Sequence, residues 1–393
     1  VIAYGYRILD QLPNPFDVEH VERDLLPAGL TGMIDPARSE VKDAIEDCKT
    51  AGIQPVMITG DHPETAAAIA REIGLLKKDE LTVTGKELAA MSAEELDSKV
   101  ERIRVYARVS PEQKLAIVHS LQRRKHFVAM TGDGVNDAPS LKAANIGVAM
   151  GITGTDVSKE AAHMILLDDN FTTIVRAVEE GRRIYDNIRK FVKYIMTCNG
   201  AEIWTIFLAP LLGMPIPLLP IHILWINLVT DGLPGLALSA EKADDNIMKR
   251  PPRRTDEGLF SEGTGYHIVW VGILMASVTL GVQAWALHND HPNWQTMVFT
   301  VLSLAQLGHV LAIRSDYMFI YEKGIFSNPM LAVALIGTFL VQLGVIYLPF
   351  ANKIFKTAPL TLNELLICIG LAALVFHAVE LEKWIRRLIA PTR

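Results

Sequence analysis

Asp133 and Asp137 stand four residues apart in Thr131-Gly132-Asp133-Gly134-Val135-Asn136-Asp137, directly after the apolar run Phe127-Val128-Ala129-Met130. Two carboxylates and an amide on a loop at the carboxyl end of a strand suit a hard cation that takes oxygen ligands and travels with phosphate, which means Mg²⁺. Gly132 and Gly134 let the backbone bend sharply and approach a phosphate closely. A second loop, Thr59-Gly60-Asp61, follows the strand Pro55-Val56-Met57-Ile58 and precedes a helix opening at Pro63-Glu64. The free amides and positive dipole end of that helix attract an anion. Between the loops, Ser110 can cap a helix with Pro111 at its first position. That places Lys114 on the first turn, where its ammonium can neutralise a phosphoryl group. A solvated turn or a surface lysine explains any one of these alone. The order hydroxyl loop, lysine, paired carboxylates points to phosphate chemistry.

A second set of polar residues lies where apolar neighbours make polarity costly. Asn199 and Glu202 are three apart and share a helix face. Asn227, Thr230 and Asp231 do likewise on the next apolar helix, and Gly232 with Pro234 is expected to weaken that helix immediately after them. Loosened backbone frees carbonyls to join the carboxylates around a cation. Acids at mid-membrane depth demand a reason. Oxygen ligands from Asn, Glu, Thr and Asp favour a hard ion such as Ca²⁺ over a soft metal, which calls for Cys or several His. The competing explanation is interhelical hydrogen bonding that only holds the bundle together, and it is strongest for Asn199.

The elements that carry these residues divide the chain in two. Before about residue 190, strands near Val56–Ile58, Val105–Ala107, Phe127–Met130, Ile146–Ala149 and Met164–Leu167 alternate with helices near Glu40–Ala51, His62–Ile73, Pro111–Arg124 and Pro139–Ala144. That alternation predicts an α/β fold with a doubly wound, mainly parallel sheet. From Asn170 one long helix is predicted, charged up to Lys190 and apolar from Phe191, so that a stalk runs into the membrane without a break. Six spans follow, at 191–212, 218–238, 266–287, 296–313, 329–350 and 361–381, each near the ~20 apolar residues a bilayer needs. The loop 239–265 carries Lys242, Lys249, Arg250, Arg253 and Arg254, and the tail carries Lys383, Arg386, Arg387 and Arg393. The loop 288–295 has no Lys or Arg, although Lys353 and Lys356 dilute the asymmetry. By the positive-inside rule, residues 1–190 and the C-terminus are expected to face the cytosol.

Composition agrees with a chain half in water and half in lipid: 50% of the 393 residues are hydrophobic and the mean hydropathy is +0.24. A net charge of −6 argues against nucleic acid as a partner. Cys48, Cys198 and Cys368 are too scattered for a disulfide framework or a metal cluster.

The strings TGDHPETA, ARVSPEQK and MTGDGVNDAPSLKAANIGVAMG resemble the haloacid-dehalogenase-like phosphotransferase core of the P-type cation-transporting ATPases, and the likeness continues through the membrane half. It implies that Asp133 binds the catalytic Mg²⁺, supported by Asn136 and Asp137, that Thr59 and Lys114 hold the transferred phosphoryl group, and that Gly60 and Asp61 help position ATP. Asp35-Pro36-Ala37-Arg38 resembles the hinge into the phosphorylation domain, with Arg38 near the nucleotide. Asn227-Leu228-Val229-Thr230-Asp231-Gly232-Leu233-Pro234 is similar to the calcium-pump branch. There Asn199, Glu202, Thr230 and Asp231 correspond to one ion site, and Asn227 with Asp231 to another. Gln306 sits where two-site calcium pumps carry glutamate, which keeps an oxygen but loses a charge. His309, one turn on, reads as a packed or hydrogen-bonded histidine.

The family's Asp-Lys-Thr-Gly-Thr acceptor string does not occur in the sequence. The chain is therefore expected to be a C-terminal portion that works with the N-terminal part of the same polypeptide and does not turn over ATP alone. The expected layout is the end of a nucleotide domain (1–34), the C-terminal part of a phosphorylation domain (35–170), a stalk (171–190), six membrane helices (191–381) and a tail (382–393). The implied activity is ATP-driven export of a hard cation, most simply Ca²⁺. A Na⁺/K⁺-type or Mn²⁺-handling pump, or a membrane-tethered phosphatase of the same fold, are the alternatives.

Overall fold

A computed structural model describes residues 2–11, 14–33, 36–254, 257–261 and 263–389. Asp35 of the expected hinge, together with Val1 and Arg393, lies outside the described residues. The chain opens with strand β1 (Ile2–Tyr6), the short helix α1 (Val18–Val21) and strand β2 (Leu26–Thr31). β1 and β2 pair antiparallel, and every residue of both strands is exposed. The α/β part then runs α2 (Glu40–Thr50), β3 (Met57–Thr59), α3 (Pro63–Glu72), β4 (Leu81–Thr84), α4 (Gly85–Ala90), α5 (Ala93–Lys99), β5 (Ile103–Ala107) and α6 (Pro111–Arg123). It continues through β6 (Ala129–Gly132), α7 (Ala138–Ala143), β7 (Ile146–Met150), α8 (Asp156–Ala161) and β8 (Met164–Leu166).

The strands are parallel, as the alternation predicts, but they form two three-stranded sheets, β3-β5-β4 and β6-β7-β8, instead of one. A βαβ pattern fixes direction and leaves open which strands become neighbours. Here β3 and β6 each end a sheet, with one ladder edge unpaired among the described residues. Helix α6 holds the two sheets together. Its Ile117 packs with Ile103 and Tyr106 of β5, its Val118 packs with Val128 and Met130, and Ile58 of β3 touches both groups. The start of α6 forms as its sequence dictates: Ser110 Oγ accepts from the Gln113 amide (3.4 Å) while Gln113 Oε1 accepts from the Ser110 amide (2.9 Å).

Helix α9 (Phe171–Leu211) follows as one element of 41 residues, about 60 Å long at 1.5 Å per residue. The expected stalk and the first expected span are its two halves. Beyond it lie α10 (Pro220–Trp225), a π-helical turn (Ile226–Asp231), α11 (Gly232–Leu238), α12 (Thr264–His288), α13 (Trp294–Ala312), the short α14 (Ile320–Lys323), α15 (Pro329–Tyr347), α16 (Pro349–Phe355) and α17 (Leu362–Ile389). Among the described residues, five helical stretches are long and apolar enough to cross a membrane: Pro220–Leu238, α12, α13, α15 and α17. The span expected at 191–212 is helical but is not one of them, because Asn199, Glu202 and Pro210 lower its apolarity. α13 is buried along most of its length and packs between α12 and α17, so it forms the axis of the bundle.

Candidate functional site

Both phosphate-type loops leave the carboxyl ends of parallel strands, Thr59 closing β3 and Gly132 closing β6. The first loop folds back on itself. The Asp61 amide donates to Thr59 Oγ1 (3.1 Å), and that hydroxyl donates to Asp61 Oδ2 (2.9 Å), leaving Gly60 and Asp61 exposed. His62 caps α3, its ring nitrogen accepting from the Glu64 amide at 3.4 Å.

In the second loop the two carboxylates part company. Asp137 is buried, with Oδ1 accepting from Lys114 Nζ at 2.6 Å and Oδ2 from the Gly134 amide at 3.2 Å. Gly132 makes room for it, since a Cβ there would lie 2.5 Å from the Asp137 Cβ. Asp133 is exposed. Its carbonyl is fixed by the Thr155 amide (2.9 Å) and Ser158 Oγ (3.0 Å), while its carboxylate has no hydrogen bond or ion pair among the described residues. Asn136 is also exposed beside it. Lys114 and Asp137, 23 residues apart, are thus brought into one ion pair, and Asp133 keeps a free carboxylate at the loop tip. Hard oxygens of this kind fit Mg²⁺, which completes its shell with water and phosphate. No group of three His, Cys, Asp or Glu side chains gathers to hold a metal among the described residues. Arg38 donates to the Asp169 carbonyl (3.3 Å) at the foot of α9.

That foot holds a feature the sequence reading passed over. The Asp169 carboxylate accepts from the amides of Gly151 (2.6 Å), Ile152 (3.0 Å) and Thr153 (2.8 Å) and from Thr153 Oγ1 (2.8 Å). Desolvation pushes its pKa up, but the donors from Ile152, Thr153 and Gly151 outweigh it and hold the group at about 2. The loop after β7 is thereby tied to the start of α9. The signal was an Asp168-Asp169-Asn170 run just before a helix, of which Asn170 is the cap, accepting from the Thr172 amide at 3.0 Å.

In the bundle, Glu202 is buried and accepts from Asn227 Nδ2 (Oε2, 2.9 Å) and Gln306 Nε2 (Oε1, 3.1 Å). Side chains from α9, the π turn and α13 therefore meet at one carboxylate. Asp231 is buried nearby, with Oδ1 accepting from Tyr194 OH at 3.1 Å. The backbone loosens on the ligand-type residues themselves, in the π turn, and not after Asp231 as Gly232 suggested; Gly232 is helical. Pro234 lacks the amide that would bond the Thr230 carbonyl in an α-helix, and Tyr194 OH meets that carbonyl at 3.2 Å. Thr230 Oγ1, Asp231 Oδ2 and Gln306 Oε1 are buried oxygens without a hydrogen-bond partner. Oxygens left over beside two buried carboxylates suit a hard cation. Asn199 is half-buried on α9, with no hydrogen bond from its side chain among the described residues. Tyr194 escaped the sequence reading, although its spacing from Cys198 and Glu202, four and eight residues, marks it as sharing their face.

A two-sheet α/β unit with paired phosphate-type loops, continuous through one helix with buried acids among apolar helices, defines a haloacid-dehalogenase-like domain joined to a membrane bundle. Two family models divide the chain along the same line: residues 7–145 match the haloacid dehalogenase-like hydrolases, and residues 215–385 match the C-terminus of cation transporting ATPases. The chain is 47% identical to a calcium-transporting ATPase of Bacillus subtilis over 95% of its length and 42% of that protein's. Identity is 44% to one from Listeria monocytogenes (98% of this chain, 43% of the relative) and 42% to the human calcium-transporting ATPase type 2C member 1 (91% and 39%). The chain belongs to the P-type cation-transporting ATPases and spans about two fifths of the length of these relatives.

Proposed function

We propose that this chain is the phosphorylation-domain and membrane portion of an ATP-driven pump that exports Ca²⁺ through an aspartyl-phosphate intermediate. The observation that carries the reading is the convergence of Glu202, Asn227 and Gln306, with Asp231 alongside, inside the apolar bundle of a chain whose other half presents Lys114, Asp133 and Asp137. The relatives named above are described as calcium-transporting, which favours Ca²⁺ over Na⁺/K⁺ or Mn²⁺.

In this reading the acceptor aspartate and the remaining membrane helices belong to the N-terminal part of the same polypeptide, and the unpaired edges of β3 and β6 offer places where a further parallel strand would pair. Asp133 and Asp137 hold Mg²⁺, which supplies charge neutralisation for the phosphoryl group in transfer. Lys114 places a positive charge against the same group, held in aim by Asp137. Thr59 offers a hydroxyl donor, Gly60 and Asp61 border the nucleotide, and Arg38 lies at its far side. Asn199, Glu202, Thr230 and Asp231 surround one Ca²⁺; Asn227 and Asp231 contribute to a second position that Gln306 leaves short of charge. The clamp of Asp169 on 151–153 passes domain movement into α9 and so to Glu202. Residues 1–190 and the C-terminus lie in the cytosol, with six spans in the bilayer.

The test is phosphoenzyme formation by the full-length protein from radiolabelled ATP with and without Ca²⁺. Ca²⁺-dependent, acid-stable labelling that disappears in Asp133→Asn is expected. Labelling that ignores Ca²⁺, or that survives in Asp133→Asn, would overturn the reading.

A further inference from the structure

Two buried histidines on neighbouring helices face each other on the cytosolic side of the cation residues. His267 in the first turn of α12 and His309 near the end of α13 bring their Nε2 atoms to 3.1 Å, with both side chains almost wholly buried. On its other side His267 Nδ1 lies 2.7 Å from Glu382 Oε2 of α17, a carboxylate that retains some solvent exposure. At the inner end, His309 stacks on Tyr194 with centroids 5.9 Å apart, and Tyr194 OH donates to Asp231. Gln306, one turn away on α13, donates to Glu202.

The hydrogen-bond directions in this string follow from the carboxylate. Glu382 accepts, so His267 carries its proton on Nδ1 and presents Nε2 as a lone pair. His309 must then donate from Nε2, which leaves its Nδ1 as a lone pair. That nitrogen is buried and has no hydrogen-bond partner. The charged groups around the pair come from every helix packed on it: Lys193 from α9, Asp316 from the segment after α13, and Glu382, Lys383 and Arg386 from α17. Lys193 is held by Asp316 (2.8 Å) and Lys383 by Glu380 (2.7 Å), and neither ammonium donates a hydrogen bond to His309 Nδ1.

We infer that Glu382, His267 and His309 form a proton-transfer path between the cytosol and the cation site, used when the cation displaces protons from that site. A proton arriving on His309 Nδ1 releases the Nε2 proton to His267 Nε2, whose Nδ1 proton passes to Glu382 and from there to water. One proton enters and one leaves, and each ring ends in its other tautomer, to be reset by a proton moving the opposite way or by a ring turn. The inference rests on the pump reading and adds to it the residues that carry the proton.

The experiment uses the full-length protein, a pulse of Ca²⁺ and a pH-sensitive dye on the cytosolic face, with His309→Gln, His267→Gln, Glu382→Gln and the double histidine variant. Glutamine at 309 keeps a donor toward His267 but cannot pass a proton on. At unchanged phosphoenzyme levels, Ca²⁺-triggered proton release is expected to slow at least tenfold in each single variant and no further in the double. Wild-type release in a histidine variant, losses that multiply in the double, or losses that only track a fall in phosphoenzyme would overturn the path. Absence of Ca²⁺-dependent phosphoenzyme in the unmutated protein is a different failure, that of the pump reading itself.

Discussion

Gln306 Nε2 lies 3.1 Å from Glu202 Oε1, so a neutral amide on the central helix α13 holds the buried acid of α9 in place. A hydrogen bond to a charged group is worth about 1.5–3 kcal/mol. Gln306→Leu is therefore expected to raise the Ca²⁺ concentration for half-maximal phosphorylation by roughly 10- to 100-fold. Gln306→Glu sets two carboxylates against each other, which must share a proton when no cation is present. Its Ca²⁺ dependence is expected to become steeper in pH than that of the unmutated protein. Titrations of phosphoenzyme against Ca²⁺ at two pH values check both, and an unchanged midpoint in Gln306→Leu would remove this residue from the site.

In the proposed pump, Asp231 is the residue that separates binding from chemistry. It lies in the bundle, joined to Tyr194 and far along the chain from the phosphate loops. Asp231→Asn is expected to abolish Ca²⁺-dependent phosphorylation from ATP while leaving phosphorylation by inorganic phosphate in the reverse direction intact, because in the proposed pump the latter depends on the acceptor aspartate with Asp133, Lys114 and their neighbours and not on the cation residues. Retention of full Ca²⁺ dependence would show that the cation binds elsewhere.

Gly132 makes a different test, since its role is steric. A methyl group there would stand 2.5 Å from the Asp137 Cβ and 2.7 Å from its Cγ. Relieving such overlap costs about 1–3 kcal/mol, and the side chain that must move is the one that aims Lys114. Gly132→Ala is expected to cut the phosphorylation rate at least tenfold while Ca²⁺ binding persists. Gly60 provides the contrast, because a methyl group there would meet nothing within 4 Å: Gly60→Ala should leave the fold unaffected. Rapid-quench phosphorylation distinguishes the two.

Much of this was legible in the sequence because local signals and tertiary fold agree. Ser110, Pro111 and Gln113 specify the start of α6, and with it Lys114, by capping alone. Alternating strands and helices imply parallel pairing, but the split into two sheets depends on which edges meet, and no local pattern encodes that. The π turn over Ile226–Asp231 was invisible because Gly232 and Pro234 announce a weak helix without saying where the extra residue is absorbed. Glu202 and Asp231 stood out as polar residues in apolar runs, and Gln306 through the family resemblance. Tyr194 and His267 did not, and His309 read only as a packed or hydrogen-bonded histidine, since an aromatic ring reads as packing until its partner is known.

The Asp169 clamp predicts a response to acid. Its folded pKa of about 2 lies below the ordinary 3.8, so the clamp stabilises the fold fully above about pH 4, and this contribution is lost as the pH falls toward 2. Hydrogen exchange at the Gly151, Ile152 and Thr153 amides should accelerate over that interval relative to the rest of the domain. Asp169→Asn is expected to show the faster exchange already at neutral pH and no further acid step. If the variant matches the unmutated protein at neutral pH, these amides are protected by something other than Asp169.

Arg314 and Glu241 form an ion pair that is almost entirely buried, both nitrogen–oxygen distances being 3.0 Å. Arg314 also donates to the carbonyls of Gly324 (2.9 Å) and Ile325 (3.0 Å), and Asn328 Nδ2 donates to Glu241 Oε2 (3.0 Å). Asn187 and Arg183 of α9 both donate to the Glu241 carbonyl, at 2.8 and 3.0 Å. The pair thus fastens the charged half of α9 to the ends of α11 and α13. Breaking a buried pair by removing one partner costs about 3–5 kcal/mol, whereas removing both together can be close to neutral; Lys323 Nζ, 3.7 Å from Glu241 Oε1, offsets part of the loss when Arg314 goes. Arg314→Met alone is expected to lower the thermal midpoint markedly, and adding Glu241→Gln should restore most of it. In the restored double variant, phosphorylation from ATP should persist while Ca²⁺ transport per ATP falls, because α9 would move without carrying the bundle with it. Full transport coupling in a stable double variant would mean that this fastening serves the fold and not the transmission of movement.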